Sequence, residues 1–209
     1  MHPRKYAVVL LAAIIAMAAT SASALAQSQQ QSNWCAGKEN AAPDLQIRAC
    51  STLIQSGQYS GKELADLYFR RAVAHVKKVD YDRAISDYNE ALKIVPNFAF
   101  ALINVGLAYC RRGDDALAIQ NIKLATELAP DNGGAHLQLA SVYYKTGEYR
   151  SAIGSYDAFL KLQPDHPVGL YGRGMAKQKL NDTSAEADIT AGEARDPDIG
   201  VLWLRYCVK

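Results

Sequence analysis

The sequence predicts an all-α solenoid of stacked antiparallel helix pairs, with about four repeats and helical caps at both ends. Prolines recur every 34 residues, at Pro96, Pro130 and Pro164, and this period is typical of helix-pair repeats. Small residues recur in the same phase, and a small side chain on each helix lets the two axes of a pair approach closely. Because one pair alone cannot bury its apolar face, we expect several pairs to stack.

Length and composition narrow the class of protein. The chain has 209 residues, enough for one domain with a sizeable core, and 49% of them are hydrophobic, which excludes a largely disordered chain. The chain has 23 Lys and Arg and 21 Asp and Glu. Removal of Arg4 and Lys5 with a leader would leave 21 of each. A nucleic-acid binder usually carries a strong basic excess, so no nucleic-acid partner is expected.

Residues 1–26 are predicted to be a secretory signal peptide. A short basic start precedes an apolar run from Ala7 to about Ala19, and small residues then lead to Ala26, after which cleavage is expected. The alternative is a transmembrane anchor, but the run is shorter than the roughly 20 residues that span a bilayer. We therefore predict export and no stable membrane span.

The segment after the leader contains two cysteines. Residues 27–42 are polar and low in complexity at their start, which predicts a flexible tether, and residues 43–64 are predicted to form a capping helix and loop. Pro43 suits the first turn of that helix. Export permits disulfides, and Cys35 and Cys50 lie 15 positions apart. We expect these two cysteines to be paired.

The other two cysteines, Cys110 and Cys207, are far apart in sequence. Cys110 falls on a predicted helix, where a buried free thiol is the simplest interpretation. The sequence leaves open whether either residue is a free thiol.

Four repeat units follow, with a further helix after them. Units one to three are predicted over 65–98, 99–132 and 133–166. Unit four, over 167–197, is atypical and one residue short, and residues 198–209 are predicted to form a carboxy-terminal capping helix. Atypical end repeats are expected because one of their sides meets solvent.

Three sets of positions recur through the units. The small residues of the first helices are Ala72, Gly106, Ala140 and Gly174, and those of the second helices are Ala84, Ala118 and Ala152. Bulky residues recur at Tyr88, Ile122 and Tyr156, where they are expected to fill the space between neighbouring pairs. Each pair is joined by a turn, beginning at Val79, Gly113 and Gly147, and Asn181 takes this place in unit four.

These positions keep the same 34-residue phase over about 130 residues. Together they resemble the tetratricopeptide repeat. The resemblance implies a right-handed superhelix whose first helices line a concave groove for a protein or peptide segment. Phe159 departs from the pattern, which usually has alanine there, and this predicts that the second helix of unit three sits further out. With the segment IRACSTLI at 47–54, the chain also looks like exported proteins of this family from Gram-negative bacteria, which implies the periplasm.

Groove candidates follow from the first-helix positions. The apolar and polar candidates are Phe69, Val73, Ile103, Asn104, Leu107, Leu137, Tyr144, Tyr171 and Met175. Some of them could equally be core residues. A basic row with the same 34-residue spacing consists of Lys77, Arg111, Lys145 and Lys179. The row could attract an acidic or carboxylate-bearing segment. The alternative is that each cation only stabilises the end of its helix.

No residue set predicts catalysis, a metal site or a cofactor. His75 occupies an aromatic core position of unit one, which favours a packed histidine over a metal ligand. The sequence therefore predicts a non-catalytic periplasmic scaffold that binds a protein or peptide segment in its groove. The alternatives are a structural or self-associating envelope module and, less favoured, an accessory subunit of an enzyme. The partner's identity, the envelope process and the oligomeric state stay open.

Overall fold

A computed structural model of the chain describes residues 26–203, and every regular element within them is helical. The all-α prediction is therefore confirmed. The predicted signal peptide lies outside the described residues except for Ala26. The predicted carboxy-terminal helix over 198–209 lies outside them beyond Trp203.

The helices follow the predicted order. Residues 26–35 form the described part of α1, and a 3₁₀ turn spans Lys38–Asn40. The other helices are α2 (Pro43–Gln55), α3 (Gly61–Lys77), α4 (Tyr81–Ile94), α5 (Ala99–Arg112), α6 (Asp115–Leu128), α7 (Gly133–Lys145), α8 (Tyr149–Leu162), α9 (Pro167–Lys179), α10 (Ala185–Arg195) and α11 (Ile199–Trp203). Helices α3/α4, α5/α6, α7/α8 and α9/α10 form the four pairs, which stack in chain order, while α2 packs on α3 and α11 packs on α9.

Close helix packing depends on the recurring small residues. Ala72, Ala84 and Ala118 are fully buried. A Cβ atom placed on Gly106 would lie 3.0 Å from Cδ1 of Ile122 and 3.1 Å from the carbonyl oxygen of Ala118. A larger residue could fit only if α5 and α6 moved apart, which confirms the predicted role of this position.

Phe159 does not push α8 outward, contrary to the prediction. Its side chain is buried between α7 and α9, where it faces glycines. A Cβ atom on Gly133 would lie 3.3 Å from the ring, and one on Gly169 would lie 2.7 Å from it. Because Gly133 on α7 and Gly169 on α9 have no side chains, the phenylalanine ring has room between these two helices.

The amino-terminal cap is more ordered than the predicted tether over 27–42. Residues 26–35 are helical, and the predicted disulfide joins Cys35 to Cys50 on α2. Trp34 packs against the cluster formed by the disulfide and α2. The tether prediction is wrong for these residues because polar, glutamine-rich sequence is compatible with a helix once one end is fixed.

The four intrarepeat turns share a left-handed backbone residue. The φ angles are +61° at Val79, +100° at Gly113, +81° at Gly147 and +55° at Asn181. The predicted substitution of asparagine for glycine in unit four is confirmed, since asparagine tolerates this conformation. Valine does not, and Val79 therefore strains the first turn.

Candidate peptide-binding groove

A groove of about 470 Å³ opens along the first helices of the repeats. Its walls come from α3, α5, α7 and α9, together with Tyr81 at the start of α4 and with α11. The residues that define its character are Val76, Asn104, Leu107, Arg111, Gln138 and Leu202. Apolar side chains thus form much of the surface, and two amides and one guanidinium supply polar contacts. A surface of this kind can bind a short helix or an extended peptide.

Only α5 contributes predicted candidates to the lining of this groove, namely Asn104, Leu107 and Arg111. Sequence reasoning missed Gln138, although it occupies the same position of its repeat as Asn104. The 34-residue period could therefore have identified it. Leu202 belongs to no repeat, and no periodic signal points to it.

Several apolar candidates belong to the core. Ile103 packs with α6 and α7 residues, and Leu137 is buried among residues of units three and four. Phe69 contacts Tyr88, with ring centroids 5.6 Å apart, and Val73 packs in the same cluster. Ile103 and Leu137 are buried, whereas Phe69 and Val73 are half-buried, and none of the four lines the groove described above.

The aromatic candidates of units three and four are covered by the chain itself. The Trp203 ring contacts Tyr144 at 4.7 Å and Tyr171 at 5.7 Å between centroids, and its Nε1–H donates a hydrogen bond to Oη of Tyr156 at 3.1 Å. Met175 packs against the same cluster. Helix α11 therefore occupies the carboxy-terminal part of the predicted groove.

The four members of the basic row have different surroundings. Lys145 Nζ donates to the Asp115 carboxylate at 2.7 Å and to the Cys110 carbonyl oxygen at 3.1 Å, so its charge is balanced within the fold. Lys77 Nζ lies 3.3 Å from the amide oxygen of Gln46. Arg111 lines the groove, and Lys179 is exposed. The 34-residue spacing therefore does not give four equivalent charges.

Cys110, on α5, is disulfide-bonded, and the described residues contain no free cysteine. The interpretation of Cys110 as a buried free thiol is therefore wrong. Helical position and burial predicted the environment of the sulfur but not its covalent state.

Two buried ion-pair clusters lie away from the groove, and sequence reasoning found neither. In unit one, Arg71 Nη2 lies 2.7 Å from the carboxylate of Asp87, and the His75 ring approaches the same carboxylate at 3.9 Å. Burial lowers the pKa of His75, and the attraction of nearby carboxylates only partly offsets it. His75 is a packed core residue, as predicted.

The second cluster lies in unit four. Arg173 Nη2 and Lys177 Nζ lie 2.7 and 2.8 Å from the carboxylate of Asp188, and Arg173 also reaches Asp157 of unit three at 2.8 Å. Burial acts to raise the pKa of Asp188, but the hydrogen bonds from Arg173 and Lys177 outweigh it and hold the pKa below its ordinary value. Both clusters join helices, and Arg71, His75 and Asp87 also line a separate cavity of about 350 Å³.

Within residues 26–203, no three His, Cys, Asp or Glu side chains are grouped so that they could hold a metal ion. No helix in this part of the chain is long and apolar enough to cross a membrane.

Tetratricopeptide repeat family models match residues 65–98 and 137–198. Among known proteins, Superkiller complex protein 3 of Mus musculus is 29% identical over 129 residues, which is 62% of this chain but 8% of that protein. Small glutamine-rich tetratricopeptide repeat-containing protein 2 of Mycosarcoma maydis is 27% identical over 106 residues, 51% of this chain and 30% of that protein. The chain thus spans less than a third of either relative.

Solved structures show the same fold. MamA (41-end) from Desulfovibrio magneticus RS-1 has a TM-score of 0.73 and 16% identity, and the match covers 82% of this chain and 96% of that one. YrrB, described as a TPR protein with an unusual peptide-binding site, has a TM-score of 0.65 and 17% identity, and the match covers 78% and 82% of the two chains. This chain therefore contains tetratricopeptide repeats, stacked in an all-α solenoid.

Proposed function

We propose that the chain is a non-catalytic adaptor, exported to the periplasm through a cleaved signal peptide, that binds a protein or peptide segment in its groove. The observation that carries the proposal is the groove along α3, α5 and α7, where Leu107 lies between the polar groups of Asn104 and Arg111. Tetratricopeptide relatives support a role in protein–protein interaction. The peptide-binding site ascribed to YrrB supports a peptide as ligand.

The groove favours a partner segment with apolar side chains and a carboxylate. Apolar contacts with Val76 and Leu107 supply much of the affinity, because an exposed ion pair contributes typically less than about 1 kcal/mol. Arg111 lines the groove but already makes a contact within the protein, so a carboxylate of the partner has to compete for its guanidinium. Lys145 contributes less than the periodic row suggests, because it already pairs with Asp115.

Site-specific photocrosslinking tests groove binding. A photoreactive residue at Gln138, which lines the groove, is compared with one at Gln120, which is exposed on α6. We expect a crosslinked partner from Gln138 alone, and we expect Leu107→Glu to abolish it. Leu162→Glu, on the exposed side of α8, serves as the matched control and should leave the crosslink intact. Equal crosslinking from both glutamine positions would contradict groove binding.

Export is tested separately, by mass spectrometry of protein isolated from cells. The expected amino terminus is Gln27, and a mature pool that retained Met1 would rule out the cleaved leader.

One observation favours self-association as a second function. Leu117, Leu124 and Leu128 are large exposed residues on one face of α6, at 41, 42 and 39% exposure. Their spacing of seven and four positions aligns them along the helix, and an aligned apolar face can pack against a second copy. Light scattering should then show a mass that rises with protein concentration and that Leu124→Gln reduces to the monomer value.

A further inference from the structure

The arginines of the two end clusters have the same bond geometry towards one aspartate. In unit four, Nε and Nη2 of Arg173 each donate to the Asp188 carboxylate at 2.7 Å. In unit one, Nε and Nη2 of Arg71 donate to the Asp87 carboxylate at 2.8 and 2.7 Å. The two guanidinium groups are therefore oriented alike, and the group that meets the third nitrogen, Nη1, can be compared directly.

The group opposite Nη1 differs between the two clusters. In unit four, Nη1 of Arg173 donates to the Asp157 carboxylate on α8, the helix before α9, at 2.8 Å. In unit one, Nη1 of Arg71 donates to Oγ of Ser51 on α2, the helix before α3, at 3.0 Å. A serine hydroxyl accepts the hydrogen bond but brings no charge. The unit-one cluster therefore lacks the second carboxylate of the unit-four cluster.

The cavity of about 350 Å³ lies at Ser51, between α2, α3 and α4. One water molecule takes about 30 Å³ of the liquid, so the cavity has room for a small anion together with water. Side chains that can donate hydrogen bonds line it, namely those of Ser51, Arg71, Arg83 and Ser86. Asp87 also lines the cavity, but both of its oxygens already accept hydrogen bonds from Arg71, which compensates its charge.

His75 contributes a buried ring to the same cavity. The residue is 6% exposed, and its ring nitrogens lie 3.9 Å from carboxylate oxygens of Asp80 and Asp87, too far for a hydrogen bond. Burial lowers the pKa of the ring against the attraction of these two aspartates, and the charges of Arg71 and Arg83 lower it further. An anion in the cavity would oppose the lowering, because it favours the protonated ring and accepts a hydrogen bond from it.

We propose that this cavity binds a small oxyanion, which takes in unit one the place that the Asp157 carboxylate has in unit four. The anion meets the N–H groups of Arg71 that Asp87 and Ser51 leave unused, since a guanidinium has five N–H groups and three are bonded. Arg83, whose side chain is 75% exposed, supplies a second guanidinium at the rim. The cavity is separate from the groove, so this proposal does not rest on peptide binding.

NMR of the full chain tests the site through the Cε1–H signal of His75, which His75→Gln identifies. Sulfate should shift this signal in a saturable way, and acetate, titrated in parallel, decides between tetrahedral anions and carboxylates. Because the bound anion favours the protonated ring, sulfate should bind about threefold or more tightly at about pH 5.5 than at about pH 7.5. Chloride at equal ionic strength is the control, and His136 on α7 should respond to none of the anions. The same saturable shift with chloride would overturn the oxyanion site.

Two aspartate variants distinguish a charge in the cavity from a charge near it. Ser51→Asp gives unit one the carboxylate that unit four has, and it should weaken sulfate binding about tenfold or more. Thr52→Asp, the matched control on the exposed side of α2, should leave the affinity within about twofold. Arg83→Gln tests the site without a change in the buried cluster and should weaken binding about twofold to fivefold. Equal losses in the two aspartate variants, or an unchanged affinity in Arg83→Gln, would overturn the proposal.

Discussion

The two end repeats and the two inner repeats have the same backbone fold. They differ in the side chains that pack between the two helices of each repeat. In units one and four, a first-helix arginine and a second basic residue one turn later meet an aspartate of the second helix. These groups are Arg71, His75 and Asp87 at one end, and Arg173, Lys177 and Asp188 at the other. The corresponding first-helix positions of units two and three hold Val105 and Tyr109, and Leu139 and Tyr143. Polar and apolar groups can thus close the same interface.

The turns within the repeats also differ between the inner repeats and the end repeats. The inner repeats have Gly113 and Gly147 at the left-handed turn position, whereas the end repeats have Val79 and Asn181. Inner repeats must fit a neighbour on both sides, while the ends have one repeat neighbour and a cap. The comparison indicates that the strict sequence pattern belongs to the middle of the stack and that the ends deviate from it in a shared manner.

The largest effect is expected where a buried charge would lose its partner. Asp188→Ala should destabilise the protein by about 2–3 kcal/mol, because it removes the carboxylate that pairs with Lys177 and leaves Arg173 with only Asp157 of its two carboxylates. Asp82→Ala is the matched control, since Asp82 pairs with Arg112 at an exposed site and its removal should cost much less. Chemical denaturation measures both. Equal costs would show that the end cluster is no different from a surface pair.

Repetition explains which parts of this architecture the sequence could predict. Helix pairs, small packing positions and turns recur every 34 residues, so their common role was visible without a structure. The contact of Trp203 with Tyr156 occurs once, between residues 47 positions apart. The partners of Arg71 and Arg173 likewise depend on which helices meet. Burial of Phe159 depends on glycines in two other helices. Such contacts occur once and produce no repeating pattern in the sequence. They nevertheless determine much of the shape of the groove.

A smaller but still clear effect is expected at the small positions. Gly106→Leu, in an inner repeat, should cost about 1–3 kcal/mol because the new side chain overlaps Ile122 and the α6 backbone. A Cβ atom on Gly174, at the same position of an end repeat, would lie even closer to the facing backbone, 2.9 Å from the amide nitrogen of Ile189. Gly174→Leu should nevertheless cost less, because α10 has a single neighbouring pair and can move outward. Gly154→Leu is the control, since nothing lies within 4 Å of a Cβ atom there. Thermal melting compares the three. A higher cost at Gly174 would reverse the proposed difference between inner and end repeats.

The turn position offers a stabilising change. Val79 has a φ of +61° and is 67% exposed, so its side chain gains little from packing and strains the backbone. Val79→Gly should raise the free energy of unfolding by about 1 kcal/mol, because relief of the strain exceeds the added entropy of the unfolded chain. Gly113→Val, the reverse change in an inner repeat, should lower it by about 1–3 kcal/mol. If both variants shifted the urea midpoint in the same direction, backbone strain would not distinguish the two turns.

The smallest effect is expected from mild acid, and it should distinguish the two end clusters. Burial lowers the pKa of His75 below that of the unfolded chain, despite the carboxylates of Asp80 and Asp87. The unfolded chain therefore binds the proton first, so this contribution to stability is complete above about pH 6.5 and is lost as the pH falls through the folded pKa.

Hydrogen exchange in α3 and α4 should therefore be faster at about pH 5.5 than at about pH 7.5, after correction for the intrinsic rate. His75→Gln should abolish this change. His166→Gln is the matched control, because burial also lowers the pKa of His166, but that residue precedes α9. Its replacement should leave the pH response of α3 and α4 intact. A response in unit one that survives His75→Gln would place the acid-sensitive group elsewhere and would remove the proposed asymmetry between the two end repeats.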